Sequence, residues 1–375
     1  MNIPSLKIKF EDEEKSFILR EIEECLTTGQ LSQGTKVLRF EEELASFVKV
    51  KHAVAVNSGS SAIEVMMRTL GVEGKEVLVP TNTFLATAMG VLLAGGVVRL
   101  VDTDPKTFSV SLEELKKRVT KKTTGVIIVH IGGIITPEID KIAAWCKQEG
   151  IWLFEDAAHA LGSTLNGKHA GSFGIAGEYS LFATKVITSG EGGSIVTNSE
   201  ELTEKMRLYR NHGKPKPWET YHTQVGANYR MSEITSIMAY SQLKRLGNIL
   251  QEREAIAKRY TDMLKSNSEL TLINPMCNSN WYKYIILLPK GIERDLLKQK
   301  MKEKGVNLQG EVYGVPLHRQ PIAVQLGFEG DFSNADDVCS RHICLPIYQD
   351  LTVEQQDYIV TVLQDTLENI KNGGH

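Results

Sequence analysis

Ser180-Leu181-Phe182-Ala183-Thr184-Lys185-Val186-Ile187-Thr188-Ser189-Gly190-Glu191-Gly192-Gly193 sets one lysine between an apolar run and a glycine-rich turn. A flexible cation is costly there unless its amine has a use, and a desolvated lysine amine captures carbonyls. Upstream, Ile151-Trp152-Leu153-Phe154-Glu155-Asp156 reads as a buried strand whose end delivers Asp156. A lysine and a carboxylate at strand ends also occur as an ordinary ion pair. They are equally the pair that pyridoxal phosphate chemistry requires: the lysine holds the aldehyde as a Schiff base, and the aspartate keeps the pyridine nitrogen protonated.

Two more segments point to the same edge. A short strand over 53–56 is followed by Asn57-Ser58-Gly59-Ser60-Ser61-Ala62-Ile63, which opens an apolar-periodic helix running through Leu70. Free backbone N–H groups and two hydroxyls converge there, as a phosphate cradle or as a plain serine N-cap. Pro80-Thr81-Asn82-Thr83-Phe84 ends another apolar strand and offers the Phe84 ring, as core or as a stacking platform.

Further blocks carry a resemblance. They are Glu155-Asp156-Ala157-Ala158-His159-Ala160, the Ser-x4-Lys spacing of Ser180 and Lys185, the Gly-Glu-Gly-Gly after it, and Gly226-Ala227-Asn228-Tyr229-Arg230-Met231-Ser232-Glu233. In this order, and from about Gly29 to the last helix, the chain resembles nucleotide-sugar aminotransferases of the DegT/DnrJ/EryC1/StrS family. The resemblance implies an α/β fold, that of fold-type I pyridoxal phosphate enzymes, in which a large domain with a mostly parallel sheet between helices is joined to a smaller C-terminal α/β domain. It implies that Lys185 anchors the cofactor, Asp156 binds its ring nitrogen and Phe84 stacks on the ring. Ser60, Ser61 and Ser180 would hold the phosphate, and Asn228 would reach the phosphate at the partner subunit's cofactor. His159 stands where many members carry glutamine, near the phenolic oxygen, and adds a titratable group there.

Tyr313-Gly314-Val315-Pro316-Leu317-His318 resembles the family's Tyr-Pro-x-Pro-Leu-His segment, and Asn211-His212-Gly213 its loop near the sugar. His212, Tyr313 and His318 are therefore the implied substrate contacts. After His130 the chain departs from the family: Ile131-Gly132-Gly133-Ile134-Ile135-Thr136 replaces an apolar residue followed by Tyr-Gly. The reaction implied is a ping-pong transamination in a homodimer with shared active sites, from an amino acid, L-glutamate, to a keto sugar on a nucleoside diphosphate. A cyclitol-type keto ring without a nucleotide would use the same cofactor residues, and a non-catalytic cofactor-binding regulator is a further alternative. A dehydratase with histidine for the lysine is disfavoured by Lys185, and a nicotinamide dehydrogenase lacks its Gly-x-Gly-x-x-Gly turn.

Strand-like and helical patterns alternate from Lys51 to Asn198, which predicts a mostly parallel sheet with ligands at the strand ends. The expected division is a large domain over 1–235 and a small one over 236–375. The latter would contain most of a helix over 231–264, a half-buried strand over 282–288, and helices over 294–304 and 353–370. With 375 residues, 42% hydrophobic, the chain can build both cores. A formal charge of -3 gives no general footprint for nucleic acid or an anionic membrane. Five dispersed cysteines without a Cys-x-x-Cys pair argue against a disulfide framework or a metal site and read as reduced thiols. The N-terminus has no apolar h-region, and apolar stretches such as 86–98 fall short of the roughly 20 residues that span a bilayer. A cytoplasmic protein is expected.

Overall fold

The computed structural model describes residues 1–216, 218–308 and 310–373. Strands β1 (His52–Val56), β2 (Glu76–Pro80), β3 (Val97–Val101), β4 (Thr123–Val129), β5 (Trp152–Asp156), β6 (Ala176–Ser180) and β7 (Gly193–Thr197) make one seven-stranded sheet, ordered β1-β7-β6-β5-β4-β2-β3. Neighbours are parallel except around β7, which is antiparallel to both β1 and β6. A sheet covered on both faces needs strands that are apolar on both sides. In β1, Ala53 and Ala55 pack with Phe40 and Leu44, while Val54 and Val56 pack with Ile63 and Met66 in a second core.

The helix expected over 231–264 forms as Glu233–Leu264, and the Ser232 hydroxyl accepts its Thr235 N–H at 3.1 Å. Its first half buries Ala239, Leu243 and Leu246 against the large sheet. Its second half buries Ile256, Tyr260 and Leu264 in a separate core around an antiparallel sheet of β8 (Thr271–Leu272), β9 (Tyr284–Leu287) and β10 (His342–Leu345). The expectation of a half-buried β9 is corrected, for all of its residues are buried. Tyr284 and Ile286 face the terminal helices, while Ile285 and Leu287 pack with Phe108, Ile131 and Ile134 from the other side. The boundary proposed near residue 235 falls at the start of the long helix. The opening segment crosses it, because Ile3 pairs with Val306 and is buried in the core around the small antiparallel sheet.

Glu233, at the end of the Gly226 to Glu233 block, has a structural task. Helix Thr35–Val48 begins at Gly34, which has no side chain to cap it. The Glu233 carboxylate supplies the cap, accepting the backbone N–H groups of Gly34 and Lys36 at 2.9 Å each and of Val37 at 3.3 Å. A Cβ at residue 34 would stand 2.6 Å from Glu233 Oε2, so the glycine permits the approach. Charge-assisted bonds of this kind leave costly orphans when removed. Glu233→Ala is expected to lower stability by about 2 kcal/mol, read as a shift of the urea midpoint, with Glu233→Gln losing less.

Candidate active site

Open parallel sheets bind ligands beyond the carboxyl ends of their strands. A cavity of about 580 Å³ lies there, roofed by the segment before β9 and by residues 310–313. Of the residues singled out from sequence, Ser60, Phe84, Asp156, His159, Ser180, Lys185 and Tyr313 line it. Ser61, His212, Asn228 and His318 are not among its walls.

Asp156 ends β5 as expected and is held by donors. The Thr87 hydroxyl donates to its Oδ2 at 2.7 Å and the Ala158 N–H to its Oδ1 at 3.2 Å. Thr87 is in turn 2.8 Å from the Thr83 hydroxyl, which donates because Thr87 spends its proton on Asp156. Lys185 lies in the turn after β6, which closes through its N–H to the Phe182 carbonyl at 2.9 Å. The expected strand therefore ends earlier, at Ser180. Among the described residues no ion pair joins Lys185 to Asp156, so the reading of an ordinary pair is not supported. The ammonium sits instead 5.2 Å from the centre of the Tyr282 ring.

At the start of helix Gly59–Thr69, Ser58 and Ser61 close a reciprocal cap, and the Ser61 hydroxyl donates to Asn57 Oδ1 at 2.6 Å. Ser61 thus serves the helix end and turns away from the cavity. Ser60, the adjacent backbone and Ser58, which the sequence reading left without a role in the site, face it. A Cβ at Gly59 would come within 3.2 Å of Ser180 Oγ, so glycine keeps the cradle open. Phe84 is 59% exposed and its ring centre lies 5.9 Å from that of Tyr313, which decides against a core role.

His159 is buried, stacks on Tyr282 at 4.4 Å, and accepts the Gly132 N–H at Nδ1 over 3.4 Å. Nε2 then carries the hydrogen and donates to the Tyr313 hydroxyl at 3.1 Å. Burial, then the charges of Lys185 and Lys283, hold its pKa well below the ordinary 6.5. The titratable group expected beside the ring is thus a fixed neutral donor. For Tyr282, burial alone would raise the phenol, but Lys185, Lys283 and a contact with Thr184 outweigh it and the net direction is down.

His318 is not brought to the cavity wall. Its Nδ1 is 2.7 Å from Thr81 Oγ1 and its Nε2 3.0 Å from Asp336 Oδ1, so both ring nitrogens are engaged behind the wall. His212 is exposed on a loop, where its carbonyl accepts from His222 Nδ1 at 2.8 Å, and it is not brought to this cavity. Asn228 is exposed as well, paired with Asn211 in an isolated bridge.

The departure after His130 has a packing reason. Gly133 adopts φ +92°, and a Cβ there would stand 2.0 Å from Asn280 Oδ1. Its carbonyl accepts the hydroxyls of Ser163 at 2.7 Å and Ser279 at 3.1 Å, while Asn280 Nδ2 donates to the carbonyls of His159 and Leu161 at 2.9 Å. The glycine turn thereby ties the segment before β9 to the loop carrying His159. Sequence reading missed Thr87, Glu178, Tyr282 and Lys283. The run Trp281-Tyr282-Lys283-Tyr284 at the head of a strand was the signal available for the last two.

Pyridoxal phosphate fits this donor set. A helix N-terminus with Ser60 and Ser180 would take its phosphate, Asp156 its ring nitrogen, and Lys185 its aldehyde carbon, while the exposed Phe84 ring offers a stacking surface. No group of three or more side chains suited to holding a metal occurs among the described residues, and no helix among them is long and apolar enough to cross a membrane.

A sequence model of the DegT/DnrJ/EryC1/StrS aminotransferase family matches residues 12–364. A pleiotropic regulatory protein of Geobacillus stearothermophilus is 34% identical, over 96% of this chain and 97% of its own. The GDP-perosamine synthase of Vibrio cholerae is 31% identical, over 92% and 94%. Among solved structures, Helicobacter pylori PseC, an aminotransferase involved in pseudoaminic acid biosynthesis, superposes with a TM-score of 0.92 at 29% identity, covering 98% of this chain and all of its own. Bacillus subtilis NtdA with bound cofactor PMP superposes with a TM-score of 0.90 at 25% identity, covering 98% of this chain and 85% of its own. With the lysine, the aspartate and the helix N-terminus converging on one cavity, the chain belongs to the DegT/DnrJ/EryC1/StrS family and is a pyridoxal phosphate-dependent aminotransferase of fold-type I.

Proposed function

We propose that this protein moves an amino group from L-glutamate to a nucleotide-linked keto sugar. The observation that carries the reading is that Lys185 and Asp156 stand in one cavity wall without neutralising each other. The bound cofactor supplies an electron sink that acidifies the C–H beside a bound amine. Asp156, its oxygens fixed by Thr87 and Ala158, presents a carboxylate to the ring nitrogen. Lys185 Nζ is the base that takes and returns the proton, and the Tyr282 ring steadies its charged form. The His159–Tyr313 bond orders the side of the cavity where the cofactor's phenolic oxygen would lie.

Lys283 is a second cation in the wall, 5.1 Å from the Tyr282 ring centre, and no carboxylate pairs with it among the described residues. An unpaired cation suits an anionic substrate such as glutamate or a diphosphate, and a diphosphate acceptor agrees with relatives named for a GDP-linked sugar. The relative named as a regulatory protein keeps a regulatory role in view. A cofactor sensor, however, has no need of both a lysine and an aspartate placed for proton transfer.

A homodimer with shared sites is supported by the loop that carries Asn228. Trp218 and Tyr221 are 77% exposed and Val225 is 78% exposed, an apolar display that a partner subunit would cover.

Lys185→Arg is expected to fold, to keep affinity for pyridoxamine 5′-phosphate, and to lose at least about 100-fold in turnover of L-glutamate and keto sugar, measured by coupled assay. Inactive Lys185→Ala and Asn228→Asp subunits, refolded together, should regain activity in heterodimers, where one site carries neither lesion; a dead mixture with heterodimers demonstrated refutes the shared site. His159 should show no titration in nitrogen-labelled histidine NMR as pH falls through 6.5. The unfolded chain takes that proton and the folded one does not, so stability is lost as pH drops below this value. His342, pulled down to about 4 by burial, adds to the same slope. His159→Gln should remove only its own share.

A further inference from the structure

Two buried glutamates flank the sheet beside the cavity, and their surroundings are opposite. Glu155, one residue before Asp156, takes the His130 ring at 2.8 Å and the backbone N–H groups of Gly171 at 2.7 Å and Gly174 at 2.6 Å. Glu178 on β6 is 0% exposed and lines the cavity, yet among the described residues no hydrogen-bond donor reaches either of its carboxyl oxygens. An ionised carboxylate in that position carries a heavy desolvation cost with nothing to offset it.

Register explains its neighbours. Asp156 and Glu178 are opposite residues on adjacent parallel strands, so both side chains leave the same face of the sheet. On another side, Glu178 Oε2 stands 3.2 Å from where a Cβ of Gly59 would be, at the phosphate cradle. Two carboxyls sharing a site hold one proton between them, and the donors decide which one keeps it. Asp156 receives Thr87 and Ala158 and is the anion. Glu178 receives nothing and is the acid.

We propose that Glu178 is a neutral carboxylic acid that donates a hydrogen bond to Asp156. It is a positioning residue that allows a carboxylate and a bound phosphate to stand close together on the cavity floor. The inference rests on Asp156 as the partner of the cofactor's ring nitrogen. Burial first, then the Asp156 charge and its hydrogen bond, push Glu178 well above the ordinary 4.5, with Lys185 opposing. The other titratable groups that feel its charge are Tyr179 on its own strand and Tyr313. The β7 residue opposite it, Ile195, is apolar.

Loss of the Glu178 proton would set a second negative charge against the phosphate, so cofactor affinity should fall as pH rises through the folded pKa of this group. The test compares full-length wild type with Glu178→Gln in the pyridoxamine 5′-phosphate form, which has no covalent link to Lys185. Cofactor released on dilution is read by fluorescence between about pH 6 and pH 9. Wild type should lose affinity by up to about tenfold per pH unit above the folded pKa, and the glutamine variant should lack that component. Parallel profiles overturn the proposal. Infrared spectra of wild type with carbon-13-labelled glutamate give a reading that needs no variant: a shifted protonated-carboxyl band at neutral pH is expected, and its absence overturns the proposal. Failure of the cofactor to bind at any pH would instead refute the cofactor site, and with it the premise, whereas the infrared band tests the protonation of Glu178 separately.

Discussion

The alignment of β4, β5 and β6 is the constraint on which the site depends. Val129 stands opposite Asp156, and Asp156 opposite Glu178, so β4 and β5 finish level with one another and β6 runs two residues further, to Ser180. Side chains alternate between faces along a strand, and a slip of one residue would exchange Asp156 with Glu155. Each is specified by what waits for it. Glu155 finds His130 and the N–H groups of Gly171 and Gly174 on one face, and Asp156 finds Thr87 on the other. The polar partners of one residue thus fix the aim of its neighbour.

The cavity is completed from the other side by parts of the chain that are distant in sequence. Arg253, inside the long helix, donates to the carbonyls of Asn280, Trp281 and Tyr282, and burial brings its pKa down to about 10. Asn280 grips the loop of His159, and the glycine turn at 132–133 gives it room. Because Tyr282 and Lys283 follow directly, the tie that joins the two sheets also sets the groups that face Lys185. Packing between the sheets and the electrostatics of the cavity are consequences of the same few hydrogen bonds.

Much of this was legible in the chain. The apolar runs of β4 and β5 announce strands covered on both faces, and the segment Ser58 to Ser61 announces a helix start, because these signals are local in sequence and arise from local sterics and backbone hydrogen bonding. β9 is fully buried although Tyr282-Lys283-Tyr284 at its head reads as a half-buried pattern, since sequence carries no mark of how many layers a strand meets. His318 sits in a segment that resembles a substrate loop, but whether its nitrogens face a sugar or Thr81 and Asp336 depends on residues far along the chain.

The alternating α/β order, the lysine and aspartate proposed to hold the cofactor, and the helix N-terminus proposed for its phosphate can all be read from contiguous residues whose chemistry is their own. The protonation of the side chains around them is set by contacts that the folded chain alone provides. His159 is a neutral donor because Gly132, Tyr282 and Tyr313 close over it, and Glu178 is set beside Asp156, out of reach of other donors, by strand pairing. A charge state is fixed by burial and by neighbours brought in from elsewhere in the chain, and these exist only once the strands have paired.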